Sequence, residues 1–145
     1  MRDAVLIAPD YAEAHAGFLE RCAEAGQSRS TPILLRFRAP AVNHLHRDVW
    51  GRLAFPVQLA VTLSPLGRDH GGFEGGAFIL ADEAAGRSAV RREIVCDRGD
   101  AVIFCTRDRP IRIGTAHARQ PVFHGTTPIT AGERYVLGCP FHEYK

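Results

Sequence analysis

The sequence predicts a mainly β fold, an antiparallel sandwich, jelly roll or barrel, with one helix at its N-terminal end. Three observations lead there. Helical periodicity is confined to the chain before Gly26; after Thr31-Pro32 the texture changes to about nine short apolar stretches; and turn residues separate those stretches roughly every 8 to 12 positions. With 145 residues, 46% of them hydrophobic and 23% charged, the chain suits one ordinary core. A single domain over residues 1–145 is therefore expected, with the helix at about 11–25 and the β core at about 33–141.

The helix follows from its start and stop signals. Asp10 stands as N-cap with Glu13 three residues later, Ala14, Phe18, Cys22 and Ala25 recur at helical spacing, and Gly26 ends the run. The strands expected after it are Ile33–Arg38, Asn43–Asp48, Phe55–Ser64, Gly76–Asp82, Ala89–Cys96, Ala101–Arg107, Ile111–Thr115, Gln120–Thr126 and Arg134–Phe141. Asp97-Arg98-Gly99-Asp100 and Ala131-Gly132-Glu133 read as hairpin connections, and Ala81–Ser88 as an exposed loop.

Composition narrows the function classes. The charge of +2 is too small to name a partner, but Lys145 is the only lysine, and guanidinium is the better group for holding carboxylate or phosphate in fixed geometry. No apolar run reaches the ~18 residues of a membrane span, and the short apolar stretch before Asp10 does not make a secretory signal, so a cytoplasmic location is expected. Cys22, Cys96, Cys105 and Cys139 show no paired spacing and read as mostly buried thiols. The arginines at 87, 91, 92 and 98, and at 107, 109, 112 and 119, could follow a phosphate backbone. Without interleaved aromatics, and with Trp50 the sole tryptophan, they fit a solvated face better.

The chemistry concentrates in Asn43-His44-Leu45-His46-Arg47-Asp48. On a strand His44, His46 and Asp48 would share one face. Far downstream His124 lies in an apolar stretch able to return beside them, and Arg134 opens the last long strand. Two histidines and one carboxylate make a facial triad, which suits non-haem Fe(II) by leaving open positions for substrate and O₂. An arginine inside a β cavity is costly unless an anion pairs with it. A dicarboxylate chelating the metal at one end and meeting Arg134 at the other would satisfy both charges. Alternation along Phe55–Ser64 places Gln58, Ala60, Thr62 and Ser64 on one small, polar face suited to lining a cavity. His70, His117 and His142 read as non-ligands, with His117 the reserve.

N-H-L-H-R-D-V-W-G, F-P-V-Q-L-A-V-T-L-S, G-G-F-E-G-G-A-F, R-G-D-A-V-I-F, F-H-G-T-T-P-I-T-A-G-E-R-Y-V-L-G and the final F-H-E, taken in that order, resemble the Fe(II)/2-oxoglutarate-dependent dioxygenases. The likeness covers about residues 30 to 145. It is to the prolyl-4-hydroxylase-like branch, and within it to a bacterial family of nucleic-acid oxygenases. The resemblance implies a double-stranded β-helix (jelly roll), with His46, Asp48 and His124 as iron ligands and Arg134 on the distal carboxylate of 2-oxoglutarate. Gln58 and Thr62 are candidates for further co-substrate contacts. The implied activity couples oxidative decarboxylation of 2-oxoglutarate, with Fe(II) and O₂, to hydroxylation of an unidentified substrate, nucleic acid or a protein side chain. Members often carry tyrosines where this chain has Phe37 and Val42, and usually have more helix and strand before this point. Two other readings stand beside it: a cupin-like jelly roll using His44 and His46, which lacks the glutamate expected near Trp50-Gly51, and a non-enzymatic β-helix binding module.

Overall fold

The computed structural model describes residues 11–82 and 90–145, without the side chains of residues 11–13 and of His70. The expected N-cap Asp10, the Glu13 side chain, most of the Ala81–Ser88 loop and Arg87 lie outside the described residues. Helix α1 spans Tyr11–Glu24. It closes where the sequence places its stop: Gly26 takes φ 74°, and Gln27 N–H donates to the Cys22 carbonyl at 2.8 Å. One face of α1 is packed on the β portion, with Cys22 fully buried and the Phe18 ring 5.4 Å from that of Phe55.

The strands are β1 (Ile33–Arg38), β2 (Val57–Thr62), β3 (Phe73–Gly75), β4 (Phe78–Asp82), β5 (Val90–Ile94), β6 (Ala101–Cys105), β7 (Asp108–Ile113), β8 (Ala116–Thr126) and β9 (Ile129–Cys139). They form two antiparallel sheets. One has the order β1-β9-β2-β6, with β3 also on β9; the other is β5-β4-β8-β7. Phe78, Cys96 and Phe104 are buried together, with Ala60, Leu80, Ile94 and Val102 packed on them, so residues of both sheets build one core cluster. Among the described residues no helix is long and apolar enough to cross a membrane.

Four expectations are corrected. Asn43–Asp48 is not a strand but an irregular segment touching β8 through a single bridge between His46 and His124. Residues 97–100 do not join a hairpin: β5 pairs with β4 and β6 with β2, so the turn carries the chain from one sheet to the other. Asp97 N–H donates to the Asp100 carboxylate at 2.8 Å, and Gly99 N–H to the Thr62 carbonyl at 2.8 Å. Ala131-Gly132-Glu133 lies inside β9, where Gly132, at φ 71°, faces Phe73 of β3, and an added Cβ would come within 2.0 Å of the Gly72 carbonyl oxygen. The strand expected at Ile111–Thr115 is β7, shifted toward its N-terminal side, with Gly114-Thr115 forming the tight turn into β8. β3 has only three residues between glycines, too few for alternation to reveal it.

Candidate metal centre

His124 lies on β8 with its side chain turned inward beside the core, its ring 4.7 Å from Phe104 and stacked on Phe78 at 6.1 Å. The segment bearing the other two residues is laid against β8 by paired backbone bonds. His46 N–H donates to the His124 carbonyl at 2.9 Å and His124 N–H returns to the His46 carbonyl at 3.0 Å; Thr126 N–H reaches the Asn43 carbonyl at 2.8 Å. That approach requires Gly125, since a Cβ there would sit 2.6 Å from the Asn43 carbonyl oxygen.

His46, Asp48 and His124 converge, one donor atom from each lying within 4.8 Å of the others. The Asp48 carboxylate stands between the imidazoles, with Oδ1 3.3 Å from His46 Nε2 and Oδ2 3.1 Å from His124 Nε2. His46 Nδ1 is 2.7 Å from the His44 carbonyl oxygen and must donate to it, which leaves the Nε2 lone pair facing the site. Burial opposes ionisation of Asp48, but hydrogen bonds from His124 and His46, with the charges those rings can carry, outweigh it and hold the carboxyl well below the usual carboxylate range. The hydrogen bond to Asp48 raises the pKa of His46 against the opposing effect of burial, and the His44 carbonyl adds to the rise. Two imidazole nitrogens and a carboxylate, gathered on one side of a cavity, are the donor set of a divalent transition metal with open positions.

The three residues line a cavity of ≈ 190 Å³ that also takes in Arg134, Gln58, Phe37, Trp50 and Phe104. Arg134, on β9, is 2% exposed. Its Nη1 donates to the Gly76 carbonyl at 2.9 Å and its Nη2 to the Thr62 hydroxyl at 3.0 Å, while Nε has no partner. Its guanidinium lies 5.3 Å from the Phe73 ring centroid, and among the described residues no carboxylate pairs with it. Burial accordingly pushes its pKa down. Gln58 is also buried and lines the cavity, with its amide nitrogen unpartnered.

Thr62 is buried with Gln58, but its hydroxyl holds Arg134 rather than lining the cavity. Phe37 pairs with Arg134 across β1 and β9 and faces the cavity, whereas Val42 is exposed and does not line it. His44 is exposed and contributes its backbone carbonyl, so the His44/His46 pair of a cupin does not form. His117 is exposed on β8 near the β7 turn, and His142 is buried outside the triad. The remaining described arginines of the two clusters are exposed, several of them in ion pairs, Arg91 with Glu93 and Arg109 with Asp82. A larger cleft of ≈ 290 Å³ shares Phe104 with this cavity but touches none of the three convergent residues. Sequence reasoning missed Phe73 beside the Arg134 guanidinium and the part of the lining made by Trp50.

The chain matches the Oxygenase-NA family, described as oxygenases catalysing oxidative methylation of damaged DNA, over residues 2–144. It belongs to that family. Two uncharacterized proteins from two strains of Mycobacterium tuberculosis are each 36% identical to it over 126 residues, 87% of this chain and 53% of theirs. The chain thus spans about half the length of the curated relatives it matches. Oxygenase chemistry agrees with the convergent His/Asp/His group.

Proposed function

We propose that this family member is an Fe(II)- and 2-oxoglutarate-dependent oxygenase of the prolyl-4-hydroxylase-like branch, built as one double-stranded β-helix domain and acting on nucleic acid. The observation that carries the reading is one cavity lined both by a two-histidine, one-carboxylate donor set and by a buried guanidinium with no carboxylate partner among the described residues. Fe(II) with two neutral imidazoles and one carboxylate leaves a charge of about +1, and Arg134 adds a second positive charge. A dianionic 2-oxoacid bridging the two balances them.

In this reading His46, Asp48 and His124 hold the metal, and the His44 carbonyl fixes the tautomer of His46. Arg134 and Gln58 orient the far carboxylate, while Thr62 and the Gly76 carbonyl set the angle of Arg134. Phe78 and Phe104 exclude water from the His124 side. Bound iron would supply O₂ activation, with 2-oxoglutarate leaving as succinate and CO₂ and one oxygen atom entering a substrate C–H bond. A DNA base carrying an alkyl lesion offers such bonds, which fits the family's description.

The test is anaerobic Fe(II) titration followed by O₂-initiated succinate release. Stoichiometric iron binding and succinate formation that require both His124 and Arg134 support the reading. Tight iron binding with no 2-oxoglutarate binding would remove the co-substrate assignment, and no metal binding would remove the whole of it.

A further inference from the structure

The lining of the cavity includes Trp50, two residues beyond Asp48 and therefore within about 7 Å of it along the chain. Trp50 is 40% exposed, which for an indole beside a buried, charged site leaves a large apolar surface open to solvent. It is not loosely held. The ring rests edge-on against Tyr144, centroids 6.1 Å apart at 66°, and Tyr144 is locked by reciprocal backbone bonds to Arg29 at 3.0 Å each way. The next residue, Gly51, lies directly over the Gln27 amide; a Cβ there would come within 2.3 Å of it. Gln27, fully buried, pins Leu53 through both ends of its amide, donating to the Leu53 carbonyl at 2.9 Å and accepting from Leu53 N–H at 2.8 Å. The indole is thus pre-set at the cavity wall with one surface free.

The surroundings point to what that surface meets. Arg52 follows Trp50 in the chain and Arg29 is tied to the Tyr144 that braces it. Both are exposed, and neither forms an ion pair among the described residues. Lys145 adds a third exposed cation next to Tyr144, with Glu143 the nearest acidic neighbour in the chain. An exposed aromatic ring with unpaired cations on neighbouring residues is the combination that takes single-stranded nucleic acid, the ring stacking on a base and the cations meeting phosphates. On β5 and β7, by contrast, Arg91 and Arg109 are neutralised by Glu93 and Asp82, and the other exposed arginines there have no exposed aromatic ring beside them.

We propose that Trp50, braced by Tyr144 and flanked by Arg29 and Arg52, is the platform on which the site receives an unpaired base of single-stranded DNA, and so selects planar, extruded bases over paired ones. This rests on the reading of the cavity as an oxygenase site. A base stacked on Trp50 lies next to the triad, whereas a base still paired in a duplex cannot bring its face against the indole.

Because Trp50 is the sole tryptophan, its fluorescence reports stacking without ambiguity. The full chain is titrated with a short single-stranded oligodeoxynucleotide, with an abasic strand of equal length and charge, and with the corresponding duplex, alongside anisotropy of labelled strands. The expected result is strong quenching by the base-bearing single strand, little by the abasic strand or the duplex, and affinity at least about tenfold weaker in Trp50→Ala but within threefold of wild type in Trp50→Phe. Arg52→Gln should weaken binding and flatten its salt dependence while leaving the saturated quench intact. Equal quenching by the abasic strand, unchanged affinity in Trp50→Ala, or no binding of any strand would overturn the proposal. Should these arms fail while 2-oxoglutarate-dependent succinate release persists, only the role of Trp50 falls; loss of succinate release as well would take the oxygenase reading with it.

Discussion

Replacing Arg134 by methionine should move two measurements in opposite directions. Without ligand the guanidinium is 2% exposed, has one nitrogen, Nε, with no partner, and meets only the Gly76 carbonyl and the Thr62 hydroxyl, both neutral. Two neutral acceptors repay only part of the several kcal/mol that burying a cation costs, and the downward push on its pKa has the same origin. An apolar side chain of similar length removes that penalty, so ligand-free Arg134→Met should be as stable as wild type or up to about 2 kcal/mol more stable. Binding of 2-oxoglutarate should suffer, because its distal carboxylate loses a desolvated charge partner worth about 2–5 kcal/mol, a factor of roughly 30 to several thousand in Kd. Thermal denaturation reads both effects, with Mn(II) in place of iron to prevent turnover. At about 100 times the wild-type Kd, 2-oxoglutarate adds some 2.7 kcal/mol to wild type, a rise of roughly 5–10 °C, and should add no more than about 0.9 kcal/mol, at most roughly 3 °C, to the variant. A variant that gains the same rise refutes the assignment of Arg134 as carboxylate partner. One destabilised by more than about 3 kcal/mol without ligand shows instead that the arginine is a strut between β9, Thr62 and Gly76.

Three further outcomes follow from the same geometry. His124→Ala should lose metal by more than the roughly 10–100-fold that outer-shell changes cost, while His44→Ala and His117→Ala, whose rings are exposed away from the triad, keep near-stoichiometric metal by elemental analysis. Metal affinity should rise with pH through a midpoint above the ordinary histidine value of 6.5: Asp48 holds a proton on His46, the metal needs the neutral imidazole, and each pH unit below the midpoint costs about tenfold. The same proton stabilises the metal-free fold fully below pH 6.5, a contribution lost as pH rises through the raised value, so metal titrations and metal-free denaturation should show opposite pH trends. Phe37→Tyr should tighten 2-oxoglutarate by about 0.5–1.5 kcal/mol, because residue 37 faces the cavity directly across from Arg134, whereas Val42→Tyr should do nothing; isothermal titration of both separates them.

What could be read in advance divides along the range of the interactions involved. The helix stop at Gly26, the extent of β1 and the buried polar face of β2 depend on neighbours a few residues apart, and alternation or capping chemistry exposes them. The irregular course of 43–48 could not be read that way. Asn-His-Leu-His-Arg-Asp alternates like a strand, yet no neighbouring strand takes up its full set of backbone groups; its shape is set by the carbonyls and amides of His124 and Thr126, some eighty positions away. His46 and Asp48 nevertheless converge with His124, with a single antiparallel bridge at His46 tying the segment to β8. The expected hairpins at 97–100 and 131–133 failed for a related reason. Glycine and aspartate signal a change of direction or a left-handed residue, and neither says whether the next strand joins the same sheet, crosses to the other, or continues past a bulge.

The placement of unsatisfied groups gives the cavity a chemical polarity that backbone topology alone would not. Gln27, buried outside the cavity lining, has both ends of its amide bonded to backbone. Gln58 and Arg134, equally buried, each keep a nitrogen without an acceptor and line the same space. Both are N–H donors on one cavity, and two such donors facing the same space suit an acceptor that arrives from outside. Water could satisfy a lone amide, but it does little to offset the charge of a guanidinium withdrawn from solvent, whereas a carboxylate satisfies the donors and the charge together. With the cationic end of the cavity defined by Arg134 and the metal donors defined by the triad, the ligand that fits carries an anionic group at one end and a chelating one at the other. The anionic half of that requirement comes from residues of β2 and β9, independently of the histidines, and it is why a dicarboxylate such as 2-oxoglutarate, rather than a monoanion, is the co-substrate proposed here.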